Sequence, residues 1–125
     1  KFVTIKVINA QSVLSGKKIA FSVANSPLVK TAIAGEDPNW GRVIMGIGKS
    51  GENIDKNKLS IKFGEFLVCE KGQISESYDE KKIKEYMQWD SVSIEINLNQ
   101  GNDTFECYTC DFNKDYIDIN VNYRN

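Results

Sequence analysis

Few side chains in this sequence could do covalent chemistry, and their spacing narrows the possibilities further. Glu36 and Asp37 are adjacent carboxylates, but general acid and base work needs two groups aimed at one reacting atom, and neighbouring residues point in different directions. Asp37 also has another duty open to it. An Asp ahead of a Pro reads as a helix start, because its carboxylate can accept from first-turn amides and Pro38 needs no amide at the first helical position. Cys107 and Cys110 form a C-x-x-C, with Cys69 as a third thiol. The pair sits in a stretch that reads as strand, where a spacing of three places the thiols on opposite faces. With no histidine and no second C-x-x-C, no zinc set is assembled, so structural thiols are the preferred reading. The missing histidine also removes serine and cysteine triads. An N-terminal threonine could act through its own α-amine, but the first residue is Lys1. Gly46, Gly48 and Gly64 lack the strand, turn and helix context of a phosphate cradle. No nucleophile is evident.

The bulk properties name no partner either. A chain of 125 residues fits one domain, residues 1–125, with one core. Sixteen basic and seventeen acidic residues leave a net charge of -1, so there is no polycationic footprint for nucleic acid and no basic helix for a membrane surface. No apolar run approaches the ~20 residues of a membrane span. Odd cysteine number without a signal peptide points to free thiols in a reducing, cytoplasmic setting. Only Arg42 and Arg124 are arginines among the sixteen basic residues; arginine suits bidentate or stacked contacts, which singles out both positions. A chain that opens on Lys1 reads as a processed product or a piece of something longer.

Elements that could position these groups follow from the periodicities. Phe2 to Ile8 alternates as a strand with Val3, Ile5 and Val7 on one face. From Ser12 a helical stripe runs through Val13, Gly16, Ala20, Val23 and Ala24, and Asn25 to Pro27 end or interrupt it. Leu28 to Ala34 is apolar and could be helix or strand, closed by Gly35. A second helix is expected from Pro38, capped by Asp37, to about Gly46. Lys58 to Phe63 and Glu65 to Glu70 read as paired strands with a bend or bulge at Gly64. Ser50 to Asn57 is the expected mobile loop, and Asp79 to Met87 an exposed, charged helix. Ser91 to Leu98, Asp103 to Asp111 and Tyr116 to Tyr123 alternate as strands of an antiparallel meander or mixed sheet. The expected class is α+β, with helices packed on one face of a mostly antiparallel or mixed sheet. Gly41 and Gly46 each cost ~1 kcal/mol in a helix relative to Ala, which close packing against the sheet, or close approach of a ligand or partner chain, would offset.

Two stretches carry a resemblance. S-P-L-V-K-T-A-I-A-G-E-D-P-N-W-G-R at 26 to 42 and C-D-F-N-K-D-Y-I-D-I-N-V-N-Y-R-N at 110 to 125 resemble the ornithine acetyltransferase, or glutamate N-acetyltransferase, family of arginine biosynthesis. The match spans nearly the whole chain, which corresponds to the C-terminal part of the family's β chain. The resemblance implies a roll related in style to β-grasp folds, and a precursor that cleaves itself before a threonine into α and β chains. That threonine accepts the acetyl group of N-acetylornithine and passes it to glutamate by double displacement, without metal or cofactor.

By the same resemblance the nucleophile lies upstream of Lys1, the oxyanion-hole residues lie in the α chain, and a substrate-binding glutamate lies just ahead of residue 1. Two substrate-binding positions fall inside this chain, at Asn120 in the last strand and at Asn125, the final residue. The family usually ends in Thr or Ser; an amide can replace a hydroxyl as donor or acceptor, but it is longer. The implied partners are the α chain and the rest of the β chain in a hetero-oligomer, with N-acetylornithine and glutamate as substrates. The G-E-D-P-N-W-G-R run would hold this domain against the catalytic part. Two other readings remain open on the residues: a non-catalytic interaction module of the same fold, and part of a related self-cleaving aminopeptidase.

Overall fold

A computed structural model describes residues 1–112. The strand expected over Tyr116 to Tyr123, together with Asn120, Arg124 and Asn125, lies outside the described residues.

Alternation places β1 at Phe2–Ala10, with Val3, Ile5 and Val7 fully buried. Ser12 caps α1 (Val13–Ala24) by accepting from the Ser15 amide. Ser26 caps α2 (Pro27–Ala34), with Pro at its start, so the undecided apolar segment is helical. α3 follows at Trp40–Gly48. A short 3-10 turn at Lys56–Lys58 leads into β2 (Ser60–Phe63), β3 (Phe66–Glu70) and the two-residue β4 (Gln73–Ile74). α4 (Glu80–Tyr86), capped by Asp79, precedes β5 (Ser91–Asn97) and β6 (Asp103–Cys110).

These strands form one mixed sheet in the order β4-β3-β2-β5-β1-β6. The class is the expected α+β, but β5 and β6 are not meander neighbours. β1 lies between them, parallel to β5 and antiparallel to β6. A chain leaving β5 must therefore cross the end of β1 before turning back. Residues 98 to 102 make that crossing on β1's last carbonyls: Leu98 N donates to Ile8 O, and Gln100 N and Gly101 N both donate to Asn9 O. Asn9 itself is left-handed, φ 53°, at a bulge between Val7 and Ala10, which asparagine tolerates better than most residues.

One sheet face carries the core. Val3, Ile5 and Val7 lie in register with Val92, Ile94 and Ile96, which continue to Ile61 and Phe63 of β2. Ile19, Ala20 and Val23 of α1, Val29 and Ile33 of α2, and Val43 and Ile47 of α3 join the same buried cluster. On the other face Lys62, Glu95, Lys6 and Glu106 fall in one register row across β2, β5, β1 and β6, with Phe2 and Tyr108 stacked at its end. Alternating signs in such a row favour that register.

Several sequence expectations are corrected. Val13 is 55% exposed and does not share the buried stripe, whereas Ile19 does. Gly64 forms the turn between β2 and β3, at φ +60° against the Tyr86 ring, and the register shift lies earlier, between Ile61 and Lys62. α4 is not exposed throughout, since Ile83 is fully buried. Gly46 does permit close packing, but against α1 rather than the sheet: a Cβ there would meet Val23 Cα at 3.3 Å. The glycine at 41 has no comparable neighbour; a Cβ would meet only Asn39 Oδ1 at 3.4 Å.

The cap of α3 is also moved. Asp37 does not start it: its backbone finishes α2, where Asp37 N donates to Ala32 O and Glu36 N to Ile33 O, with Glu36 left-handed at φ 57°, and its carboxylate accepts from Asn39 Nδ2 and from no first-turn amide of α3. α2 thus has a Schellman ending. Asn39, two residues on, caps α3 by accepting from Arg42 N at 3.0 Å. Asn39→Ala is expected to cost about 0.5–2 kcal/mol and Asp37→Ala clearly less, read from urea unfolding of the two variants. The β5-to-β6 crossing gives a second expectation. A Cβ at Gly101 would sit 2.4 Å from Ala10 O, a backbone atom, so Gly101→Ala should destabilise by about 1–3 kcal/mol. At Gly48 nothing lies within 4 Å, and Gly48→Ala should stabilise by up to about 1 kcal/mol.

Candidate functional site

The 26-to-42 motif builds a joint between two helices. Pro27 opens α2, Glu36 and Asp37 close it, and Asn39 opens α3. Arg42 Nη1 donates to Leu28 O at 3.0 Å, tying the first turn of α3 back to the first turn of α2. Ser22 Oγ donates to Gly46 O at 2.6 Å, tying α1 to the other end of α3. Trp40 packs partly buried against the core. Glu36 and Asp37 are not brought to a common point; the Asp37 carboxylate accepts from Asn39 Nδ2 at 3.2 Å. The joint is a structural device with no reacting pair.

The start of β1 and the end of β6 meet at one corner. The backbone nitrogen of Lys1 lies 2.6 Å from Asp111 Oδ1, with side-chain exposures of 14% and 5%. Phe2 N donates to Asp90 O at 2.8 Å, and Lys1 Nζ to Trp89 O at 2.7 Å. Phe112 N donates to Lys30 O at 3.3 Å, and Lys30 Nζ stands over the Phe112 ring at 4.6 Å from its centroid. Residue 1, the C-D-F segment and the S-P-L-V-K segment are thus fastened together. Aromatic side chains surround the corner: Phe2 stacks on Tyr108, and Trp89 lies on Tyr86, while Phe2, Trp89 and Tyr108 remain more than half exposed.

Asp111 was not singled out by motif or spacing, although a signal existed. Counting back by twos from it reaches Thr109 and Cys107, the inward side of β6, so a carboxylate continues a buried row. A buried carboxylate requires a donor, which residue 1 supplies.

The thiols behave as expected for structure. Cys107 is buried and Cys110 exposed, on opposite faces of β6. Burial, then the neighbouring Glu106 charge, pushes the Cys107 thiol up; burial also raises Cys69, against a hydrogen bond from the Gly72 backbone. Both shifts reduce the thiolate that nucleophilic attack needs. The Tyr108 hydroxyl donates to Glu106 at 2.8 Å, which raises its pKa through that bond and the carboxylate charge. Among the described residues no three His, Cys, Asp or Glu side chains gather as a metal site, and no helix is long and apolar enough to cross a membrane. A shallow cleft lined by Lys18, Ser22, Asn25 and Lys49 holds neither a carboxylate nor a thiol.

Comparison with known proteins gives a consistent result. The chain is 46% identical over 124 residues to the arginine biosynthesis bifunctional protein ArgJ of Brucella melitensis, and 49% identical over 124 residues to that of Ruegeria pomeroyi. Each match covers 99% of this chain and 30% of the relative, so the chain spans under a third of those proteins. The crystal structure of the ArgJ protein from Bacillus halodurans superposes with a TM-score of 0.92 at 33% identity, covering 98% of this chain and 58% of that one. A model of the ArgJ family matches residues 1–125. The chain therefore belongs to the ArgJ family, the ornithine acetyltransferase family that its two motifs resemble.

Proposed function

We propose that this chain is the C-terminal domain of the β chain of a glutamate N-acetyltransferase, and that the complete cytoplasmic enzyme moves acetyl from N-acetylornithine to glutamate. The observation that carries the reading is the family match along all 125 residues, at 46% identity to a bifunctional arginine-biosynthesis protein more than three times as long. The reaction proceeds by double displacement. The hydroxyl oxygen of a threonine upstream of residue 1 attacks the acetyl carbonyl, the ornithine amine leaves with a proton, and the glutamate amine then takes the acetyl group and restores the hydroxyl. The α chain supplies the oxyanion hole, and the two chains assemble as a hetero-oligomer.

The described residues are consistent with a supporting part in that chemistry. The chain has no histidine, burial raises the Cys69 and Cys107 thiols, and the Glu36 and Asp37 carboxylates belong to a helix joint. Asn120 and Asn125 are proposed to contact the α-amino acid part of the substrate; both lie outside the described residues.

Purified 125-residue chain should show no transfer from N-acetylornithine to glutamate, while the complete protein should; transfer by the short chain alone would contradict the reading. In the complete enzyme Asn120→Ala should raise KM for N-acetylornithine roughly ten-fold to a hundred-fold, since losing one desolvated hydrogen bond costs about 1–3 kcal/mol. A peptide appended after Asn125 should impair substrate binding more than the same peptide at the precursor's N-terminus, because ordinary termini tolerate extension. Equal kinetics for both tagged enzymes would remove Asn125 from the pocket.

A further inference from the structure

The turn between β2 and β3 and the residues that follow α4 enclose a cleft of about 210 Å³, lined by Gly64, Glu65, Phe66, Tyr86 and Trp89. Three of the five residues are aromatic, and their rings are inclined to one another. Phe66 lies at 62° to Tyr86 with centroids 6.1 Å apart, and Tyr86 at 54° to Trp89 with centroids 5.1 Å apart. Tyr86 is fixed twice: its hydroxyl accepts from Ser93 N at 2.7 Å, and its ring lies so close to the chain that a Cβ at Gly64 would sit 2.6 Å from Cζ. Only glycine leaves room for that ring. Trp89 is placed by its backbone, its N–H donating to Tyr86 O at 3.0 Å and its carbonyl accepting from Lys1 Nζ, while the residue stays 62% exposed. Glu65 is exposed, and its carboxylate forms no ion pair or hydrogen bond among the described residues. No basic side chain lines the cleft.

We propose that this cleft binds an alkylammonium group, with the rings of Trp89, Tyr86 and Phe66 contacting the cation and Glu65 supplying the counter-charge at the rim. The sign of the ligand follows from the lining. Aromatic faces attract cations through the ring quadrupole, and the one charged lining residue is a carboxylate without an ionic partner among the described residues. An anion would meet repulsion, and a neutral apolar group would leave the carboxylate unused. The shape of the ligand follows from the angles. A planar guanidinium stacks on one flat face, whereas inclined rings surround a point, which suits a compact ammonium head. Its size follows from the volume. Sites that enclose a drug-sized molecule measure about 300–1,000 Å³, so this cleft takes one end group with its aliphatic stem: a lysine side chain, or a free aliphatic amine of the same reach. The proposal does not depend on the acetyl-transfer reading, since none of the lining residues is among the substrate-binding positions proposed above.

The test uses the complete protein with n-butylammonium as the probe and n-butanol as its uncharged counterpart. Binding is read by ligand-observed NMR, and exposure of Trp89 by hydroxyl-radical labelling mapped with peptide mass spectrometry. n-Butylammonium should bind with a dissociation constant of about 1–10 mM, the range open to a cation–π site with one partly exposed ion pair, and should shield Trp89 from labelling. n-Butanol should bind at least about ten-fold more weakly. Trp89→Leu keeps an apolar side chain at an exposed position and removes the π face; it should weaken the probe about ten-fold, and Glu65→Gln about three- to five-fold. Equal binding of n-butanol overturns the charge assignment, and variants that bind as the wild type does overturn the site. If n-butylammonium fails to bind, labelling of the protein alone decides. A readily labelled Trp89 then shows an open cleft without affinity, which contradicts the proposal. A shielded Trp89 means that the cleft is already filled: carbodiimide coupling of Glu65 to a lysine of the same protein supports a lysine side chain as the occupant, and shielding without that cross-link contradicts it. Acetyl transfer enters none of these readouts, so a failure of the functional reading leaves their outcome intact.

Discussion

β1 is hydrogen-bonded along both edges, parallel to β5 and antiparallel to β6, and the other layers are arranged around that constraint. Its inward residues Val3, Ile5 and Val7 leave no exposed surface, so the helices must cover that face. Its outward residues leave Lys6 between Glu95 and Glu106, so the other face can carry charge. Because β1 separates β5 from β6, the chain has to pass over the end of β1, and three features of the sequence answer that need. Gly101 allows a backbone-to-backbone approach that no Cβ would permit. Asn9 and Asn99 take left-handed conformations that cost asparagine less than most residues.

The helical layer is held by polar ties as much as by apolar contact. α2 and α3 are separated by a Schellman ending followed at once by a fresh cap, and Arg42 closes the loop from α3 to the Leu28 carbonyl. Ser22 does the same from α1 to Gly46. Such side-chain-to-backbone bonds orient helices that apolar burial alone would let slide. Through Lys30 and Phe112 this layer also meets the corner at which residue 1 and Asp111 join, so the first motif and the described start of the second, Cys110 to Phe112, bear on one place.

Much of this was legible in the residues. Alternation placed β1, β5 and β6 within a residue or two, and the Cys107 and Cys110 spacing put the thiols on opposite faces as strand geometry demands. What was hidden follows from contacts that local pattern does not carry. Strand order is a pairing choice, so the insertion of β1 between β5 and β6 has no signature in either strand alone. Asp37 and Asn39 are equally good caps in isolation; where α2 ends and α3 begins decides between them, and it is Asn39 that accepts from the Arg42 amide. β4 is two residues long and exposed, below what alternation can register. Asp111 was visible only as the polar continuation of an inward row, and Asn120 and Asn125 rested on resemblance alone, outside the described residues.

The described residues form a scaffold without a reacting pair, and on the proposed reading the reacting group resides elsewhere in the complete protein. Tracing the acetyl group tests that division of labour most directly: the complete protein is incubated with N-acetylornithine, quenched before glutamate is added, and mapped by peptide mass spectrometry. The expected result is one acetyl adduct on a threonine upstream of residue 1, lost on adding glutamate, with none between residues 1 and 125. An acetyl group on any side chain of this segment that disappears when glutamate is supplied, or no adduct anywhere while transfer proceeds, would contradict it.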